Sequence, residues 1–193
     1  MTDHDFTLEN AVDRTFFGRV RIEKAASFLF FHHQGIVKNL LHHLKYRKQE
    51  VIGDFLGNWF GAQLAASDKM PPFDLVVPVP LHPRKLKKRG YNQVERFARR
   101  LAQHLNSTYD GGNLIRTSRG SSQTQKGRIG RWIDRQGQFR LKDPASYSGM
   151  HILLVDDVIT TGATLERCAQ ALQTAEEVTL YIATMAMVPK LGQ

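Results

Sequence analysis

The sequence predicts an α/β domain with a doubly wound, mostly parallel sheet and a helical segment at its N-terminal end. Two apolar runs carry most of that reading. Residues 75–79 and 151–155 are short, continuous and rich in Val, Ile and Leu, the pattern of strands buried on both faces. Each is followed by a polar stretch and then by helical periodicity, which is half of a βαβ unit. The third observation is size: 193 residues with 41% hydrophobic content suffice for one α/β domain with a genuine core.

Composition narrows the function classes. No apolar run reaches membrane-spanning length, and the acidic start Met1-Thr2-Asp3-His4-Asp5 lacks the pattern of a secretory signal. One cysteine, Cys168, excludes an internal disulfide and a cysteine-clustered zinc site. It falls on the apolar stripe of its helix, so packing is its expected role. A cytoplasmic setting is the simplest expectation. The net charge of +9 and pI of about 9.9 favour anionic partners, without choosing between a small polyphosphate and a nucleic acid.

Taken in order, residues 1–24 show weak periodicity, with a turn at Phe16-Phe17-Gly18-Arg19. Residues 25–31 read as an aromatic-rich strand. Residues 36–48 form an amphipathic helix with Ile36, Val37, Leu40, Leu41 and Leu44 on one face and Lys38, Lys45, Arg47 and Lys48 largely outside it. The pairs His32-His33 and His42-His43 have no neighbouring carboxylate or cysteine to complete a ligand set and read as surface histidines. Residues 51–64 form a second helix, with Val51, Ile52, Phe55, Leu56, Trp59 and Phe60 as its inward set. Met70-Pro71-Pro72 breaks the chain.

The strand that begins at Leu75 should stop pairing near Pro78, because proline cannot donate to a central ladder. The next segment, 81–93, carries Arg84, Lys85, Lys87, Lys88 and Arg89. Such a cationic loop at the carboxyl edge of the sheet could hold a pyrophosphate; it also fits a solvated loop or a nonspecific nucleic-acid patch. A helix runs on through His104 with Val94, Phe97, Ala98, Leu101 and Leu105 as its stripe, and Asn92 with Glu95 resembles a capping box. After a loop at 106–113 and a short strand at Leu114-Ile115, residues 116–140 contain seven Lys or Arg (Arg116, Arg119, Lys126, Arg128, Arg131, Arg135 and Arg140) opposed only by Asp134. Gly120 and Gly127 suggest mobility, so this stretch could close over a charged substrate, or be a basic arm that only solvates. A last strand, 178–187, should lie beside 152–155.

The chemistry concentrates at residues 151–164. The apolar run ends in Asp156 and Asp157, at the strand end where open α/β sheets hold ligands. Residues Thr160, Thr161, Gly162, Ala163 and Thr164 then offer backbone N–H groups, hydroxyls and a helix N-terminus, a combination suited to a phosphate dianion. Gly162 lets the backbone approach an oxygen closely. The carboxylates would repel that phosphate and suit what lies beside it, a sugar diol or a divalent cation. A phosphate one sugar away from a diol describes a ribose 5-phosphate. A response-regulator receiver would need a later phospho-accepting Asp, and none follows Asp157. A P-loop pattern is absent. The remaining structural reading is a Thr-capped helix preceded by solvated acids, but two adjacent acids ending a buried strand are costly without a partner.

The stretch apolar run, Asp156-Asp157, then Thr160-Thr161-Gly162-Ala163-Thr164 resembles the phosphoribosyl pyrophosphate motif of type I phosphoribosyltransferases. Pro78-Val79-Pro80-Leu81 followed by Arg89-Gly90-Tyr91-Asn92-Gln93 is similar to the ComF/GntX branch, which includes competence proteins linked to DNA uptake. This likeness extends from about Ala25 onward. It implies the type I phosphoribosyltransferase fold, with residues 1–70 a strand and helical segment packed on a phosphoribosyltransferase domain at 71–193. It implies that Asp156 and Asp157 hold the ribose hydroxyls, that residues 160–164 hold the 5-phosphate, and that the segment after Leu81 stands in the place of the pyrophosphate loop. Arg84, Arg89, Lys126 and Arg128 are the pyrophosphate candidates; Gln123, Arg131 and Phe139 match the family pattern, with Asp134 where Asn is usual. The implied partners are phosphoribosyl pyrophosphate and Mg²⁺, the latter through the pyrophosphate and the two acids. The implied reaction is transfer to a nitrogen nucleophile, with no residue assigned as general base. The alternative is a non-catalytic accessory of DNA uptake that binds the ligand or single-stranded DNA, with Tyr91 and Trp132 as stacking candidates. Family members usually begin with a small cysteine zinc module; those cysteines are missing here, so functions of that module are not implied.

Overall fold

Strands β1 (Lys24–Phe30), β2 (Leu75–Pro78), β3 (Thr108–Tyr109), β4 (Leu114–Arg116), β5 (Phe139–Leu141), β6 (His151–Ile159) and β7 (Thr179–Met187) alternate with helices α1 (Ala11–Phe16), α2 (Ile36–Tyr46), α3 (Val51–Ala65), α4 (Pro83–Arg89), α5 (Glu95–His104) and α6 (Ala163–Leu172). The structure is a computed structural model and describes residues 1–2, 6–68, 70–117 and 138–189. The central sheet has five strands in the order β1-β7-β6-β2-β3, every pair parallel. β4 and β5 pair antiparallel as a separate ribbon. Lys126, Arg128, Gln123, Arg131, Trp132 and Asp134 lie outside the described residues.

Both sheet faces are covered, as the unbroken apolar strands require. One core holds Leu153 and Val155 of β6 with Phe28, Leu41, Leu56, Phe60, Phe97 and Leu101. The other holds Ile152 and Leu154 of β6 with Val12, Phe16, Leu114, Leu165, Cys168 and Leu172. Successive side chains of a strand point to opposite faces, so β6 feeds two cores at once. Burying about six side chains of this size on each face contributes on the order of 10 kcal/mol before entropy is counted. Cys168 is fully buried as expected, and burial pushes its thiol up, away from reactivity.

Several local expectations are corrected. The weakly periodic N-terminal stretch contains α1, closed by an Asn10…Asp13 capping box: the Asn10 side chain accepts from the Val12 and Asp13 N–H groups and Asp13 accepts from the Asn10 N–H. Ile36 is 78% exposed, so the α2 stripe begins at Val37, with Val37 and Leu40 partly buried against the core and Leu41 and Leu44 fully so. In α3 the residues Val51, Phe55 and Trp59 are exposed, and the inward face carries Gly53, Gly57 and Gly61 beside Ile52, Leu56 and Phe60. Those glycines let α3 approach α5 closely: a Cβ on Gly57 would stand 2.7 Å from the Arg100 Cβ and 2.9 Å from the Phe97 carbonyl oxygen. Hydrophobicity alone misassigned this face because the contact is made by missing side chains.

The basic segment after Leu81 is largely helical, not a loop. Pro83 opens α4, the His82 Nδ1 accepts from the Arg84 N–H at 3.1 Å, and Gly90 closes it at φ 88°, a left-handed conformation open to glycine. Asn92 makes no capping box with Glu95; it accepts from the Val94 N–H and donates to the Val79 carbonyl, tying the start of α5 to the end of β2. Pairing of β2 with β6 does end at Pro78. Most consequential for the site, β6 does not stop at its acids: Asp156 pairs with Thr184 and the ladder continues to Ile159 opposite Met187. No helix among the described residues is long and apolar enough to cross a membrane.

Candidate functional site

Strand alternation separates the two adjacent acids. Asp157 keeps the parity of Leu153 and Val155 and turns toward α2 and α5; Asp156 keeps that of Ile152 and Leu154 and turns toward α6 and β4. Their surroundings differ accordingly. Asp157 is well satisfied: its Oδ2 accepts from Gln93 Nε2 at 2.7 Å and lies 3.0 Å from Lys45 Nζ, and its Oδ1 accepts from the Val158 N–H at 2.6 Å. Gln93 is also bonded by Arg89 through its Oε1, so Arg89, Gln93 and Asp157 form a chain from α4 to β6. Asp156 receives one hydrogen bond from the described residues, from the Asp157 N–H at 2.8 Å. Burial, and next the Asp157 charge, hold its carboxyl far above the usual carboxylate range, with Lys45 and Arg116 too weak to offset them.

Both acids line a cavity of about 240 Å³ together with Lys45, Lys85, Arg89, Gln93, Arg116 and Thr164. Arg116 packs its guanidinium over the Phe139 ring at 5.1 Å, and its buried Nε has no hydrogen-bond partner among the described residues. Burial lowers its pKa. A buried guanidinium donor without an acceptor, opposite an acid short of donors, marks a site arranged for something that supplies both.

The expected anion-binding turn adjoins this cavity. Thr160, Thr161, Gly162, Ala163 and Thr164 line a recess of about 50 Å³ that includes Asp156, and Thr164 belongs to both spaces. Gly162 has φ 74° and precedes α6, so Ala163 and Thr164 present first-turn N–H groups of that helix. Any Cβ there would be strained and would also stand 3.0 Å from the Thr15 Cγ2 of α1. The N-terminal segment therefore backs the turn, and Arg19 ties it down: its Nη1 donates to the Thr161 carbonyl at 2.7 Å and to the Thr15 carbonyl at 3.1 Å, while its Nε donates to Glu166 at 3.0 Å. Arg19→Ala is expected to loosen this turn, weakening inorganic phosphate binding about tenfold by titration while lowering stability by only ~1 kcal/mol, since the ion pair is partly exposed.

Of the residues singled out in the sequence, Asp156, Asp157, Arg89 and all of 160–164 come together. Arg84 does not: it is exposed on α4, and its neighbour Lys85 faces the cavity instead. Sequence reasoning missed Lys45, Gln93, Arg116 and Arg19 as site residues. The motif Arg89-Gly90-Tyr91-Asn92-Gln93 pointed at Gln93, but nothing in the pattern of α2 set Lys45 apart from its other lysines.

Two carboxylates border this cavity, and no group of three or more His, Cys, Asp or Glu is found among the described residues. That donor set suits a hard cation shared with substrate phosphates, the usual habit of Mg²⁺, and not a metal cage built by the protein alone.

Residues 94–189 match the family model described as phosphoribosyl transferase domain. The chain is 30% identical over 136 residues to the DNA utilization protein YhgH of Salmonella typhi, covering 69% of this chain and 59% of that protein. The Escherichia coli K12 protein of the same name is 29% identical over the same length. The chain thus spans about 59% of the length of these curated relatives. Among solved structures, the glutamine phosphoribosylpyrophosphate amidotransferase from B. subtilis aligns with a TM-score of 0.50 at 20% identity, over 73% of this chain and 30% of that one.

Proposed function

Taking as premise that the chain carries a phosphoribosyl transferase domain within a sheet of the type I phosphoribosyltransferase fold, we propose that it binds phosphoribosyl pyrophosphate with Mg²⁺ and transfers the phosphoribosyl group to a nitrogen nucleophile. The observation that carries the reading is the continuity of three chemistries in one opening: the glycine turn at 160–164, the under-donated Asp156, and the cations Lys85, Arg89 and Arg116.

In this reading the 5-phosphate lies in the turn, taking backbone N–H groups at the start of α6. The free oxygen of Asp156 accepts from a ribose hydroxyl, and Asp157, already committed to Lys45 and Gln93, contributes its remaining acceptor capacity and holds the strand end in shape. As the bond to pyrophosphate lengthens, positive charge grows on the sugar and negative charge on the leaving group. Lys85, Arg89 and Arg116 stand on the side where that negative charge develops, and the acids face the oxocarbenium-like sugar. A bound Mg²⁺ would neutralise pyrophosphate charge and withdraw electrons from the leaving oxygen, held through the phosphates with Asp156 and Asp157 as its protein oxygens. Lys126 and Arg128 are proposed to join the pyrophosphate contacts.

The curated relatives are named for DNA utilization, which supports a second reading, in which the domain is an accessory of DNA uptake and binds its ligand or single-stranded DNA without chemistry. Titration calorimetry with phosphoribosyl pyrophosphate and Mg²⁺ decides the first step: wild type is expected to bind in the micromolar range, and the Asp156→Asn/Asp157→Asn variant at least thirtyfold more weakly, about 2 kcal/mol. Pyrophosphate release with a panel of nitrogen bases decides the second. Binding without release for any base would favour the accessory role; no binding would remove the proposal.

A further inference from the structure

A second cavity, of about 280 Å³, opens beside the first between the end of α2, the turn into α3, and α4. It shares Lys45, Tyr46, Lys85 and Arg89 with the site above and adds Lys48, Lys88 and the ring of Tyr91. The basic residues of this cleft are set close together with little counter-charge. Among the described residues Lys48, Lys85, Lys88 and Arg89 form no ion pair, whereas the arginines of α5 are matched: Arg96 with Glu50 and Asp54, Arg100 with Asp54, and Arg99 with Glu95. Five cations therefore border one cleft, and among the described residues only Lys45 of the five is paired, with Asp157. The cleft also has flat walls. The Arg89 guanidinium lies 5.5 Å from the Tyr46 ring centroid, and the Tyr91 hydroxyl is anchored on the Leu44 carbonyl. Lys48 is held at φ 57°, a left-handed conformation that residues other than glycine rarely adopt.

Lys85, Arg89 and Arg116 already face the pyrophosphate in the reading above, so Lys48 and Lys88 exceed what that group needs. Cations around an apolar, ring-lined pocket recognise a flat ligand with its own negative charge: the ring stacks and the charge is met at the rim. We propose that this cleft is the acceptor subsite and that the acceptor is a nitrogen heterocycle bearing an anionic group, a carboxylate or a phosphate. The proposal rests on the phosphoribosyl pyrophosphate reading and names the acceptor's chemical class.

Calorimetry on the full chain, saturated with phosphoribosyl pyrophosphate and Mg²⁺, tests it with matched probes: orotate against uracil for a carboxylate, and uridine monophosphate against uridine for a phosphate. At least one charged probe is expected to bind ten or more times tighter than its neutral counterpart. Lys48→Ala/Lys88→Ala should erase that preference while phosphoribosyl pyrophosphate affinity stays within twofold and the melting temperature is kept; Lys48→Arg/Lys88→Arg should retain it. Equal binding of charged and neutral probes, absence of binding by both, or a preference that survives the double alanine variant would overturn the proposal. So would affinity for oligo-dT that rises with length and falls steeply with salt, which would make the cleft part of a nucleic-acid track. If phosphoribosyl pyrophosphate itself does not bind, the function proposed above fails first, and orotate and uridine monophosphate titrated alone still report on the cleft.

Discussion

Asp156→Asn is expected to make the protein more stable and to disable its site. The carboxylate is partly buried, sits beside the Asp157 charge and receives one hydrogen bond from the described residues. Its pKa is accordingly raised from 3.8 to about 8. The folded state therefore holds this proton more tightly than the unfolded chain, and the group opposes folding progressively as pH rises from about 4 to about 8. Asparagine keeps the shape and the Oδ1 acceptor for the Asp157 N–H while removing the charge. At pH 8 the variant should gain ~1–2 kcal/mol, about 3–6 °C in melting temperature for a domain of this size, and the gain should shrink toward pH 5, where the wild-type acid is protonated. The same substitution should abolish ligand binding that depends on an ionised oxygen at this place. Scanning calorimetry across pH and ligand titration check the two halves. A melting temperature that is unchanged or lowered at pH 8 would show that the Asp156 charge is compensated in the free protein. Sites that hold desolvated charge for a ligand commonly oppose stability in this way.

The second large effect is expected far from any charge. Gly57→Ala should cost ~1–3 kcal/mol net, lowering the melting temperature by roughly 3–10 °C, although alanine is the better helix former by about 1 kcal/mol. The added methyl would meet the Phe97 carbonyl oxygen and Cα at 2.9 and 3.1 Å, backbone atoms that cannot step aside without moving α3 off α5. Because α5 follows directly on Gln93 and Asn92, which anchor Asp157 and the end of β2, the shift should also reach the site. Gly53→Ala is the internal comparison. Its Cβ would meet the Arg96 Cβ at 3.3 Å and should cost much less. Equal thermal shifts for the two variants would contradict close helix approach as the cause.

Much of the fold was legible. Strands covered on both faces carry an unbroken apolar signal, so 75–78 and 151–155 were readable, and the 3.6-residue period located α2, α3 and α5. The failures have physical causes. α1 is a single short turn-and-a-half whose signal is a capping box with Asp in the place of Glu or Gln, too weak against a polar stretch. The inward face of α3 is marked by Gly53, Gly57 and Gly61, where absence of a side chain is the packing feature, so a hydrophobicity count pointed to the exposed Val51, Phe55 and Trp59. α4 looked like a loop because its lysines and arginines bury nothing.

The candidate site divides along the same line. That two acids and a Thr-Thr-Gly-Ala-Thr turn follow a buried strand is written in consecutive residues, and local geometry leaves such neighbours little freedom to be elsewhere. Linear order also supplied the adjacency of the acids to a helix N-terminus. What each acid does was decided only by tertiary structure. Neighbours on a strand point to opposite faces, so Asp157 met Lys45 and Gln93 from α2 and the start of α5, while Asp156 turned to the side of Arg116 with a single donor. Lys45, Arg116 and Arg19 lie 112, 41 and 142 residues from Asp157, Asp157 and Thr161 in the chain. No local pattern encodes such encounters; they arise when the two cores close on the sheet from both sides.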